Sequence, residues 1–251
     1  MRVICIANQK GGCAKTTTVV NLAAALAEAN KKILVIDLDP QANATQWLSE
    51  VSSDKNAFHI FSSKLPIDEL IHTTRVPNID IIPAHQDLAS IEKVVANELG
   101  VDFLLKRRLL STNLRRWDFV LIDTPPTLGL ITVNALTTSH ELLIPVTTHI
   151  MTLSGVAQLL TKFDEIKELL NPDLTILGFL PSRVDLRTKH AKEILQSLEE
   201  QFGDKVLKSM IRENVRLAEA PSFGESILLY DDHSGAANDY RLLAQEIIKL
   251  A

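Results

Sequence analysis

Two lysines bracket two glycines in KGGCAKTT (residues 10–17), directly after a short β-branched apolar run and directly before a long alanine-rich stretch. A glycine-bearing turn between a buried strand and a helix aims backbone N–H groups and the positive end of the helix dipole at one point, which is chemistry for holding phosphate. In such a loop Lys15 supplies charge to the β- and γ-phosphates, the Thr16 hydroxyl ligates Mg²⁺, and Thr17 reaches a more proximal phosphate. The commoner G-x-x-x-x-G-K-[ST] spacing fails at both glycines, where Gln9 and Ala14 stand. A Cβ at position 14 is tolerable only with φ below zero, so the expectation for Ala14 is an ordinary right-handed or extended backbone.

Phosphate held with a divalent cation also calls for carboxylates. DLDPQANAT (37–45) places Asp37 and Asp39 at the end of one apolar run, and VLIDTPP (120–126) places Asp123 at the end of another. Four apolar residues and then an aspartate, at the C-terminal end of a strand, suit a carboxylate that holds Mg²⁺ through water. Asp37 closes its strand and is expected to order the metal region.

These residues need strands to carry them. Runs at 3–7, 33–37, 79–83, 119–123, 141–146 and 174–180 read as strands, and their continuous hydrophobicity fits parallel strands buried on both faces. Helical patterns lie between and after them, from Thr16 to Asn30, Leu153 to Leu170, Lys189 to Gln201 and Ala236 to Leu250. The alternation predicts an α/β fold, a mostly parallel twisted sheet flanked by helices with right-handed crossovers. Residues 52–68 read as the most loop-like stretch. With neither a repeat nor a linker, the expectation is one domain over 1–251 with no helix-turn-helix domain before the phosphate loop.

Composition narrows the classes. A charge of −5, from 26 basic and 31 acidic residues, excludes a wholesale polycation, so nucleic-acid binding would have to come from a local patch. An apolar fraction of 46% excludes a disordered chain. Two cysteines exclude a disulfide framework or a multi-cysteine metal cluster. Cys5 is expected in the core. Cys13 lies where a helix N-terminus lowers a thiol pKa, so oxidation beside the phosphates is conceivable. Trp47 and Trp117 are expected to be packing residues. MRVICIANQ turns polar too soon for a signal peptide, and no run approaches the roughly 18 apolar residues of a membrane span. A cytoplasmic protein is the expectation.

Together KGGCAKTT, DLDP and VLIDTPP resemble the ParA/MinD ATPases, whose phosphate loop is a deviant Walker A motif. The resemblance implies an ATPase that binds ATP or ADP with Mg²⁺. It implies a loop of Lys10, Gly11, Gly12, Cys13, Ala14, Lys15, Thr16 and Thr17 around the phosphates, and Thr16, Asp39 and Asp123 on the metal side. Lys15 and Asp39 would act in hydrolysis, Asp39 by orienting or activating the attacking water. Lys10 would reach across a homodimer to the partner's nucleotide. Thr124-Pro125-Pro126 would belong to a switch that senses the γ-phosphate.

The C-terminal half resembles the ParA/Soj branch through VDLRTKHAKEI (184–194) and RENVRLAEAPSFGESILLYD (212–231). On that resemblance Arg187 and Arg216 fall at DNA-binding positions with Lys189 beside them, and Arg183, Arg212 and Asn214 fall near the base. The implied partners are non-specific double-stranded DNA and a ParB/Spo0J-type centromere-binding protein, with the protein on the nucleoid. Two basic stretches agree: Arg183, Arg187, Lys189 and Lys192, then Lys205, Lys208, Arg212 and Arg216. A MinD-like membrane-associated positioning ATPase is the alternative. It needs a cationic amphipathic C-terminus, whereas YRLLAQEIIKLA carries only Arg241 and Lys249, with Glu246 between, so no membrane partner is expected. An amidotransferase-type biosynthetic enzyme on the same fold would need an acid-substrate pocket, for which no motif is visible.

Overall fold

The apolar runs become strands that alternate their side chains between two helical layers. A computed structural model describes residues 1–49, 54–63, 65–148 and 152–250. In it the strands are β1 (Arg2–Ile6), β2 (Ile33–Asp37), β3 (His72–Thr73), β4 (Ile79–Ile82), β5 (Phe119–Asp123), β6 (Glu141–Thr147), β7 (Thr175–Val184) and β8 (Ile211–Arg212). They form one sheet in the order β3-β4-β2-β5-β1-β6-β7-β8, parallel throughout except for β3, which runs against β4. The helices are α1 (Lys15–Glu28), α2 (Asn43–Leu48), α3 (Phe58–Ser62), α4 (Ile91–Val94), α5 (Leu104–Leu109), α6 (Leu130–Thr138), α7 (Thr152–Leu169), α8 (Lys189–Phe202), α9 (Val215–Glu219), α10 (Ile227–Tyr230) and α11 (Gly235–Lys249).

Because side chains alternate along a strand, Val3 and Cys5 of β1 enter one core with Leu34, Ile36, Val120 and Ile122, covered by α6 and α7. Ile4 and Ile6 enter the other with Ile33, Val35 and Leu121, covered by α1 and α11. The alanines of α1 (Ala23, Ala24, Ala25, Ala27) are all buried, and their small side chains let that helix lie close under the sheet and α11. Cys5, Trp47 and Trp117 are buried as expected.

Register positions the site. Ile6 pairs with Asp123, and Asp123 pairs with Asp37. The chain leaving β1 and the two strand-end aspartates therefore meet at the carboxyl edge of the sheet, where β1 lies between β5 and β6.

The structure departs from the expectation at 52–68. Phe58–Ser62 is helical and Ile67–Leu70 is a 3₁₀ turn, and together they bury Ile60, Phe61, Ile67 and Leu70. Elements of five and four residues are too short to display a period, so their burial was not readable from pattern. Of that segment residues 52, 53 and 64 lie outside the described residues.

Candidate functional site

The loop from β1 to α1 is fixed from behind. Asn8 is buried; its Nδ2 donates to the Pro145 carbonyl at 2.7 Å, and its Oδ1 accepts the Lys10 N–H at 3.3 Å. Gly12 has φ 75°, and among the described residues no neighbouring atom lies within 4 Å of a Cβ built on Gly11 or Gly12. Ala14 corrects the expectation. It sits left-handed at φ 61° as the N-cap of α1. The loop must reverse there to start the helix, and an alanine in that conformation costs about 1–2 kcal/mol. The first turn of α1 has neither a side-chain cap nor an acidic residue, which leaves its N–H groups for an anion.

Lys15 is 7% exposed and Thr16 Oγ1 donates to Asp123 Oδ2 at 2.7 Å. The second Asp123 oxygen, Oδ1, is buried with no hydrogen-bond partner. Burial raises the Asp123 pKa well above the usual carboxylate range; Asp37 and Asp39 raise it further, and Thr16 and Lys15 oppose them. Three neighbouring carboxylates, one orphaned oxygen and one lysine make an environment short of positive charge, and a divalent cation fits that deficit. Among the described residues no three His, Cys, Asp or Glu side chains converge as a ligand cage.

Asp37 orders this region by hydrogen bonds. Its Oδ2 accepts the Thr45 N–H at 2.8 Å and the Thr45 hydroxyl at 2.7 Å, and its Oδ1 accepts the Asp39 N–H at 3.1 Å. The same Thr45 hydroxyl accepts the Ala84 N–H at 2.8 Å, tying the turn to the end of β4. Asp39, also 7% exposed, accepts the Gln41 N–H on Oδ1 at 3.0 Å. Asp39 lines a cavity of about 480 Å³ together with Pro125, Pro126 and Thr127.

Arg183, Arg212 and Asn214 come together with the phosphate loop. They line a second cavity of about 330 Å³ with Gly12, Ala14 and Thr17. Arg183, itself left-handed at φ 53° where β7 bulges against β8, makes a two-point pair with Glu213 at 3.1 and 3.2 Å. Arg212 is held by the buried Asp239 at 2.6 Å. Asn214 Oδ1 accepts the Arg216 N–H as the cap of α9, so its NH₂ group is the end left to donate. Ile211, Leu217 and Tyr240 form the apolar wall. Sequence reading missed them, and Tyr240, on the terminal helix, carried no local signal.

The two basic stretches meet at the β7–β8 edge, where the Glu213 N–H donates to the Val184 carbonyl at 3.0 Å. Arg212 stays 48% exposed at its side chain while it pairs with the buried Asp239, so it remains on the basic face. The outward cations are paired: Arg187 with Asp185 at 2.8 Å, Arg216 with Glu219 at 3.1 Å, and Lys189 with Glu193 at 3.6 Å. The Arg187 guanidinium hydrogen-bonded to Asp185 draws that carboxyl down to about 2. Exposed pairs of this kind are weak and screened by solvent, so a phosphate can displace the carboxylate. Cys13 takes the plain packing role. It is 1% exposed, and burial raises its thiol pKa against the opposing charges of Lys15 and Lys10.

A parallel sheet whose first strand passes through a glycine loop into a helix, with aspartates at the ends of the neighbouring strands, defines a P-loop nucleoside triphosphatase. Residues 1–176 match the AAA_31 family, described as an AAA domain. The chain is 41% identical over 248 residues to the sporulation initiation inhibitor protein Soj of Bacillus subtilis, covering 98% of each. It is 39% identical over 251 residues to the chromosome partitioning protein ParA of Myxococcus xanthus, covering 99% of this chain and 88% of that one. Among solved structures it is similar to cobyrinic acid a,c-diamide synthase from Mycobacterium smegmatis with bound ATP analog and magnesium, with a TM-score of 0.86 and 31% identity, covering 99% of this chain and 95% of that one. The chain belongs to the ParA/Soj family of partitioning ATPases.

Proposed function

We propose that this ATPase uses Mg²⁺·ATP to form a homodimer that holds double-stranded DNA without regard to sequence and lets go on hydrolysis. The observation that carries the reading is the Thr16–Asp123 pair with its orphaned oxygen at the start of the helix that follows the glycine loop. The loop N–H groups and Lys15 hold the β- and γ-phosphates; Thr16 and Asp123 hold the cation, with Asp39 on the metal side of the site, where it also orients the attacking water. The metal supplies charge neutralisation of the phosphoryl group. One protomer brings Lys15 as the cation within its own site, and phosphoryl transfer gains much from a further cation in the transition state. Lys10 of a second copy is that cation.

Arg187, Lys189 and Arg216 contact DNA phosphates, which position without reading bases. Two copies double the number of contacts, and this is how ATP gates DNA. A ParB-type protein that speeds hydrolysis releases the dimer, so the protein works on the nucleoid. The apolar face of α11 (Tyr240, Leu243, Ala244, Ile247) is packed into the core beside α1, which speaks against its use as a membrane anchor. Among the described residues no helix is long and apolar enough to cross a membrane. The test is ATP turnover per protein against protein concentration. Turnover should rise with concentration in wild type and stay low at every concentration in Lys10→Ala, with nucleotide binding by the monomer retained. Turnover independent of concentration would sink the dimer requirement.

A further inference from the structure

The loop that follows Asp123 is tied down at three points. Thr124 Oγ1 donates to the Ile6 carbonyl at 2.9 Å, and Thr132 Oγ1 donates to the Thr127 carbonyl at 2.6 Å. The third tie comes from a distant element. Glu92, on α4, accepts the Leu130 N–H on Oε1 at 3.0 Å. α6 begins there with Gly129 as its N-cap, and it has neither a side-chain cap nor an acidic first-turn residue of its own. Glu92 supplies both from another part of the chain.

Gly129 is what admits it. A Cβ at Gly129 would lie 2.6 Å from that same carboxylate oxygen. Its φ of −79° is open to any residue, so the glycine provides space rather than conformation. Glu92 also stands in the third wall of the cavity between the Asp39–Gln41 turn and Pro125–Gly129, together with Leu88, Ala89 and Ile91. It lines neither the phosphate loop nor the cavity beside Arg183.

We infer that Glu92 is a positioning residue for hydrolysis. By capping α6 it holds the 124–129 loop at a fixed distance from Asp39, and Gly129 is the notch that lets it do so. The inference rests on the reading that Asp39 and the 124–126 loop act at the γ-phosphate. Losing the cap lets the loop drift while the nucleotide-holding residues stay in place, so turnover changes and binding does not.

The test measures ATP hydrolysis and its KM for wild type, Glu92→Ala, Glu92→Gln, Gly129→Ala and the Glu92→Ala/Gly129→Ala double variant. Amide exchange at Leu130 is followed in the same proteins. For a cap of ordinary strength, Glu92→Ala should lower kcat roughly five-fold and speed Leu130 exchange by a similar factor. KM for ATP should stay within about twofold, because an interaction absent from substrate binding moves kcat alone. Glu92→Gln keeps an accepting oxygen and should recover most of the rate. Gly129→Ala should act like Glu92→Ala in the wild-type background and be silent once Glu92 is gone. Faster Leu130 exchange with unchanged kcat would overturn the inference, as would a Gly129→Ala loss that adds to that of Glu92→Ala. Asp39→Ala in the same assay separates the two levels. Full turnover there would remove the reading of the site itself, and abolished turnover with an additive cycle would remove Glu92 alone.

Discussion

Ala14 carries a cost that the commoner glycine would not. At φ 61° the alanine is strained, and Ala14→Gly exchanges that strain for a more flexible unfolded chain. The balance should be a gain of about 0.5–1 kcal/mol, read as a higher midpoint in thermal or denaturant unfolding. An unchanged or lower midpoint would mean that the loop does not hold this conformation in solution. Asp123 shows the opposite trade. Its charged form is disfavoured by burial and by Asp37 and Asp39, so the carboxylate is costly until a cation arrives. Asp123→Asn keeps an oxygen for the Thr16 hydroxyl and removes that charge. The nucleotide-free protein should unfold at a higher temperature than wild type, while the stabilisation normally added by Mg²⁺ with ATP should be largely lost. A variant that kept its Mg²⁺-dependent gain would place the cation elsewhere.

Among the elements, the junction of β1 and β6 should respond to acid. His140, partly exposed just before β6, accepts the Val3 N–H on Nδ1 at 3.0 Å, and desolvation lowers its pKa below the usual 6.5. The folded state therefore prefers the neutral ring. Its contribution to stability is complete above pH 6.5 and is lost as the pH falls from there through the folded pKa. His140→Gln should flatten the fall in melting temperature between pH 7.5 and about pH 5.5; an identical fall in both proteins would assign it to other groups.

The strands of this sheet were legible because parallel strands covered on both faces leave unbroken apolar runs, as in Ile33–Asp37 and Phe119–Asp123. Their register then brought Asp37, Asp123 and the glycine loop together with no further information. The rest was hidden for physical reasons. β3 and β8 are two residues long and carry no pattern. Arg183 turns left-handed because β7 must bulge to meet β8, and a bulge is a property of a pair of strands. Asp239 under Arg212, Tyr240 in the cavity wall and Glu92 of α4 at the start of α6 all act across long stretches of sequence, at places that only packing fixes. Buried Asn21 is the same kind of case. It links the carbonyl of Thr17 at 2.8 Å to the Ile227 N–H at 2.7 Å, joining the phosphate-loop helix to the start of α10.

For the whole molecule, a structure of TM-score 0.86 bears the name of a cobyrinic acid a,c-diamide synthase, so fold alone does not select partitioning. Identity near 40% to Soj and ParA along almost the whole chain, together with exposed cations at the β7–β8 edge paired with surface carboxylates, supports the proposal that DNA is the ligand. The most direct measurement is DNA binding by the Asp39→Ala protein with ATP, ADP or no nucleotide, across a salt series, beside anionic liposomes. Slow hydrolysis should hold the dimer long enough to observe. Binding should appear with ATP alone, ignore DNA sequence, and weaken with salt at about −0.9 in log–log slope per phosphate neutralised. It should be lost in Arg187→Ala and Arg216→Ala. Equal DNA binding in every nucleotide state, or binding to liposomes without binding to DNA, would contradict ATP-gated DNA partitioning.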